Sequence, residues 1–128
     1  ELLTRLAEQD LFLGVATGKS RRGLDKVLKA TGLGDHFIAT RCADECHSKP
    51  HPQMLMELMA YTGVTPEQAI MIGDTEFDLM MASNAGAHGL GITHGAHDEA
   101  KLLACSPRAI VHDLYQVETW LHRTAKQF

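Results

Sequence analysis

Asp74 and Asp78 follow an apolar run in the stretch IMIGDTEFDLMMASNAG, residues 70–86, and their types and spacing suit metal chemistry. Hard carboxylate oxygens match Mg2+, which keeps several waters and binds through one or two protein carboxylates plus a substrate phosphate. Asp78 also has a structural reading, because Thr75-x-x-Asp78 has the form of a capping box and acids favour a helix's first turn. That reading leaves Asp74, which precedes the cap, unexplained.

Three other loops carry residues of interest. In ATGKS, Thr17, Gly18, Lys19 and Ser20 lie between an expected strand end and a helix start, where backbone N–H groups and the helix dipole attract anions. The Thr17 hydroxyl and the Gly18 amide are the candidate phosphate ligands, although a plain turn capped by Ser20 fits as well. The Walker spacing is absent. In SKPHP, Lys49 is stiffened by Pro50 and Pro52, and its ammonium suits an anionic substrate or a carboxylate partner. Cys42, Cys46, His47 and His51 invite a zinc reading, but no second knuckle supports it. In THGAHDEA, His94 and His97 could serve as acid–base groups or stand simply as surface histidines.

These loops need a scaffold, and the sequence supplies one. Strands are expected at 11–17, 36–42, 69–74, 87–93 and 108–112, the first and third as apolar runs covered on both faces. Helices are expected at 2–9, after Ser20 around Leu24, Val27, Leu28 and Thr31, and from Pro52 around Leu55, Leu58, Met59 and Thr62. Others follow at 75–84 on a face of Phe77, Met80, Met81 and Asn84, at 97–104, and at 114–125 around Val117, Trp120 and Leu121. Gly32 and Gly34 stop the second helix. Strands alternating with helices on short loops imply a mostly parallel sheet in an α/β, Rossmann-like fold. Ligands of such sheets sit at the carboxyl ends of the strands, where all four loops lie.

The bulk properties narrow the class. At 128 residues the chain suits one domain. A net charge of −4, with no basic stripe, argues against nucleic acid as partner. No apolar run approaches the roughly 20 residues of a membrane span, and no signal-peptide pattern opens the chain. Three cysteines fit a reducing compartment, so a cytoplasmic location is expected.

Taken in order, ATGKS, SKPHPQML and IGDTEFDLMMASNAG resemble the second, third and fourth motifs of the haloacid dehalogenase-like (HAD) hydrolases, in their phosphoglycolate phosphatase-like branch. The resemblance runs over essentially the whole chain. It implies that Thr17 and Gly18 bind the transferring phosphoryl group, and that Lys49 stabilises charge on nucleophile and phosphate. It also implies that Asp74 is a Mg2+ ligand, with Asp78 binding the metal or supporting its site. The family's first motif, an Asp-x-Asp on the central strand, is absent from this sequence. Its first aspartate is the family's nucleophile, forming an aspartyl-phosphate, and its second is the general acid–base.

The expectation is therefore that residues 1–128 are the C-terminal part of a HAD-like core, lacking its first strand and most of its cap. The N-terminal part of the same protein is the expected partner, and a small phosphorylated metabolite the expected substrate. The chain by itself is expected to be nearly inactive. Within the superfamily a phosphomutase is the alternative; a dehalogenase, which needs no Mg2+, fits the retained carboxylates less well. From another class, a non-catalytic phosphate-binding or interaction module fits the same residues.

Overall fold

The computed structural model describes residues 11–47, 49–93 and 99–124. In chain order the elements are β1 (Gly14–Thr17), α1 (Arg21–Thr31), β2 (Ala39–Cys42), α2 (Gln53–Thr62), β3 (Ile70–Gly73), α3 (Glu76–Asn84), β4 (His88–Ile92), α4 (Glu99–Leu103), β5 (Ala109–Val111) and α5 (Leu114–Thr124). The α/β alternation with parallel pairing is as expected. The expected helix at 2–9 lies outside the described residues, as do His94 and His97.

Local chemistry sets the boundaries. Ser20 caps α1, its hydroxyl accepting from Gly23 N at 3.0 Å, and Gly32 ends the helix in the left-handed region with its N–H on Leu28 O. Strand β2 begins at Ala39 rather than His36, because Gly34–His36 forms a 3-10 turn in which Phe37 N donates to Gly34 O. Pro52 stands just before α2, not inside its first turn. The turn before β3 is a 3-10 helix, Pro66–Gln68, closed by a Thr65/Gln68 capping box.

Helix α3 corrects the expected face. Its buried residues are Asp78, Leu79, Met81 and Ala82, while Phe77 is 50% and Met80 38% exposed. Two anchors turn the helix this way. Asp78 is drawn inward at the first turn, and Leu79 packs on the glycines of β4. A Cβ on Gly89 would lie 3.1 Å from Leu79 Cδ2, and one on Gly91 3.5 Å from Leu79 Cδ1. The sequence HGLGI thus makes a strand surface flat enough for a leucine to approach closely.

Among the described residues the strands form two sheets. β1 pairs with β2, Thr17 opposite Cys42, while β3, β4 and β5 form the other, with β4 in the middle. Strands β1 and β3 are each the edge of a sheet. Between them runs a groove of about 570 Å3, walled by residues 11–16 on one side and 69–72 on the other. Leu55, Leu58 and Met59 of α2 and Leu121 of α5 are among its other lining residues. The apolar clusters border the same region: Leu13 and Ile70 pack against the Leu90–Val117–Leu121 cluster, Ala16 and Met71 against the Met54–Met59–Met81 cluster. With a strand spacing of ~4.8 Å, a rise of ~3.3 Å per residue and a layer thickness of ~10 Å, four residues of strand fill about 600 Å3. The groove's volume is comparable to that of one such stretch of strand.

Candidate functional site

The fourth motif is built around a glycine that only glycine can be. A Cβ on Gly73 would sit 2.2 Å from Asp78 Cβ and 2.7 Å from its Oδ2. The end of β3 therefore packs directly against the Asp78 carboxylate, which is 5% exposed. The capping box expected from the sequence is formed. Asp78 N donates to Thr75 Oγ1 at 3.2 Å, and Asp78 Oδ2 accepts from Thr75 N at 3.3 Å. Thr75 Oγ1 and Asp78 Oδ2 are also 3.0 Å apart.

The other Asp78 oxygen reaches across the fold. Oδ1 accepts from Lys49 Nζ, joining the loop after β2 to the first turn of α3. Lys49 is itself largely enclosed, its side chain 19% exposed. A second link lies nearby: Asn84 Nδ2 donates to Pro50 O at 3.0 Å. Both oxygens of Asp78 are thus engaged by protein. Asp74, by contrast, is exposed and has no hydrogen-bond or ion-pair partner among the described residues.

At the end of β1, Thr17 Oγ1 accepts from Lys19 N at 3.1 Å, which closes the turn and leaves the hydroxyl proton to donate elsewhere. Gly18 is exposed, and a Cβ there would meet nothing within 4 Å. Open space beside that backbone is what an incoming anion needs.

The lysine loop is stiffened by groups the sequence reading passed over. Glu57 Oε1 accepts from Arg41 Nε at 2.8 Å and Glu57 Oε2 from Gln53 Nε2 at 2.8 Å, while Gln53 Oε1 accepts from His47 N at 2.7 Å. The Glu57 carboxyl is held below its usual range by the Gln53 bond first and the Arg41 bond second. Glu45 is likewise lowered, mainly by its bond to Arg21. Gln53 and Glu57 are an i,i+4 pair on α2, but the Arg41–Glu57 and Arg21–Glu45 links span 16 and 24 residues, and no local spacing announces those.

The zinc reading gains nothing: among the described residues no group of three or more His, Cys, Asp and Glu could hold a metal. His47 and His51 instead lie ring against ring, centroids 4.5 Å apart, and His51 Nδ1 accepts from Gln53 N. Burial pushes the Cys42 and Cys46 thiols up, away from the thiolate form a metal would require. For Mg2+ the donor set is different in kind. One unengaged carboxylate at a strand end fits an ion that takes few protein ligands, though further ligands must come from beyond this chain's described residues.

Comparison with known proteins gives a consistent picture. The sequence matches the family described as haloacid dehalogenase-like hydrolase over residues 1–92. It is 36% identical over 127 residues to the probable phosphatase IndB of Dickeya dadantii (strain 3937), covering 98% of this chain and 55% of that protein. It is 31% identical over 108 residues to the pyrophosphatase PpaX of Bacillus cereus (strain AH820), covering 84% of this chain and 50% of that protein. The crystal structure of a predicted phosphoglycolate phosphatase from Haemophilus somnus 129pt superimposes with a TM-score of 0.83 at 26% identity, over 92% of this chain and 53% of that one. The chain spans about half the length of these relatives.

Proposed function

Because the chain belongs to the haloacid dehalogenase-like hydrolases, we propose that the complete protein is a Mg2+-dependent phosphomonoesterase of a small phosphorylated metabolite. The observation that carries this reading is that contacts chain three sequence-distant loops together, Ala43 N donating to Lys19 O between the first two. The Lys49–Asp78 ion pair joins the loop after β2 to the helix after β3, with Asp74 at the strand end beside it.

Each residue has a definable task. Thr17 and the Gly18 backbone hold the phosphoryl oxygens, the hydroxyl as donor and the glycine by leaving room. Lys49 offsets charge that spreads over the phosphoryl oxygens in a loose transition state. Asp78 fixes the ammonium and supports the metal site, because both its oxygens are already taken. Asp74 holds Mg2+, which when bound neutralises phosphate charge.

The nucleophile is the part this sequence does not contain. The groove between β1 and β3 supports its arrival on a strand from the remaining part of the same protein, seated parallel between the two sheets. Its carboxyl end would lie between Thr17 and Asp74. Among candidate substrates we favour phosphoglycolate. A protein extended to its relatives' length, stripped with EDTA and assayed on p-nitrophenyl phosphate, should release phosphate only when Mg2+ is restored. Equal release without the metal, or none with it, would overturn the reading.

A further inference from the structure

Arg21 opens α1 at the end of the Thr17–Ser20 turn, and its side chain is tied across to the next loop. Nε and Nη2 grip Glu45 at 3.2 and 2.9 Å, Nη1 reaches Thr40 Oγ1 at 2.8 Å and Asp25 at 3.2 Å, and Nη2 also meets Thr40 O at 3.1 Å. A guanidinium has five N–H donors, and all five are engaged by protein acceptors. None remains for a substrate. The backbone repeats the link: Arg21 N donates to Asp44 Oδ1 at 2.9 Å, and Ala43 N to Lys19 O at 3.0 Å. Glu45 in turn accepts from Cys42 N at 3.0 Å and stands four residues before Lys49.

We infer that Arg21 is a positioning residue: through the fork it makes with Glu45, it sets the placement of the Thr17–Gly18 turn relative to the Lys49 loop. The identity of the ligand, a phosphoryl group, rests on the reading above. Lysine cannot replace this arginine, because a single ammonium lacks the planar, bidentate geometry that spans Glu45 and Thr40 together.

The test uses the complete protein, with inorganic phosphate as the binding probe and p-nitrophenyl phosphate as substrate. Arg21→Gln, Arg21→Lys and Glu45→Gln should each weaken phosphate binding and raise KM roughly tenfold to hundredfold while the protein stays folded, as a small misplacement would. The Arg21→Gln/Glu45→Gln double variant should be no worse than either single one. Asp25→Asn, which loosens Arg21 only within its own helix, should change both quantities less than about twofold. Should Arg21→Gln unfold, Glu45→Gln carries the comparison. Wild-type phosphate affinity in folded Glu45→Gln overturns the inference, as does loss of binding on Arg21→Gln alone with Glu45→Gln harmless, or a wild-type protein that binds no phosphate. Phosphate binding that depends on Arg21 and Glu45 without hydrolysis leaves the inference standing and removes the phosphatase reading. Hydrolysis with a normal KM in Glu45→Gln does the reverse.

Discussion

Lys49 donates to Asp78 Oδ1 while Thr75 holds the opposite oxygen of the same carboxylate. One buried acid thus anchors the lysine loop to the start of α3. Removing its charge leaves an enclosed ammonium without a counter-ion. Asp78→Asn should cost on the order of 2–4 kcal/mol, somewhat under the ~3–5 kcal/mol of a fully buried pair because Lys49 keeps some solvent. Urea unfolding measures this; a loss below about 0.5 kcal/mol would show that the pair is not holding the loop.

Gly73 and Gly18 should behave oppositely. Gly73→Ala places a methyl 2.2 Å from Asp78 Cβ, backed by the β3 main chain, so the helix must move. A loss of about 3 kcal/mol, the upper range for overpacking, is expected. Gly18→Ala meets nothing within 4 Å and should leave stability within about 0.5 kcal/mol, yet weaken phosphate binding by filling the space beside the turn. Equal stability losses in the two variants would contradict this packing.

Acid should loosen the lysine loop before neutral pH affects it. Glu45 and Glu57 have folded pKa values lowered from the ordinary 4.5 by their bonds to Arg21, and to Gln53 and Arg41. A lowered carboxyl contributes stability that is fully present above its unfolded value and lost as pH falls through the folded one. Unfolding free energy should therefore be flat above about pH 5.5 and decline below about 4.5, with a shallower decline in Glu45→Gln and Glu57→Gln. An unchanged acid limb in both variants would rule these carboxylates out as its source.

The groove predicts a difference between the chain and the complete protein. In residues 1–128 alone, β1 and β3 face the groove as strand edges unpaired among the described residues, an invitation to pair with other copies. Self-association that rises with concentration is expected by sedimentation, and its absence in the complete protein. Amides of Ala16 and Ile72, on the groove walls and alternating with those that face β2 and β4, should exchange slowly only in the complete protein. Equal protection in both would mean that nothing enters the groove.

The alternation of elements and the capping box were legible because each depends on residues a few positions apart. Thr75 and Asp78 sit three apart, and the box they promised is formed. The exposed face of α3 was misread because 3.6-residue spacing alone ranked Phe77 and Met80 as core. The inward pull on Asp78 comes from Lys49, 29 residues earlier, and that is a tertiary effect. The Arg21–Glu45 fork was illegible for the same reason, as two common surface residue types 24 positions apart. The order of the motifs singles out Thr17, Lys49 and Asp74 as candidates, and the Thr75–Asp78 capping box marks Asp74 as the aspartate left over, but the Lys49–Asp78 contact across 29 residues could not be read.

The most direct measurement is Mg2+-dependent phosphate release by Asp74→Asn in the complete protein, on p-nitrophenyl phosphate. The substitution removes one exposed carboxylate with no hydrogen-bond or ion-pair partner among the described residues, so folding should be untouched and the midpoint of urea unfolding unchanged. Turnover at saturating substrate should fall by at least about 100-fold, and the response to added Mg2+ should weaken with it. Wild-type turnover with an unaltered Mg2+ response would contradict the assignment of Asp74 as the metal-binding residue of this chain.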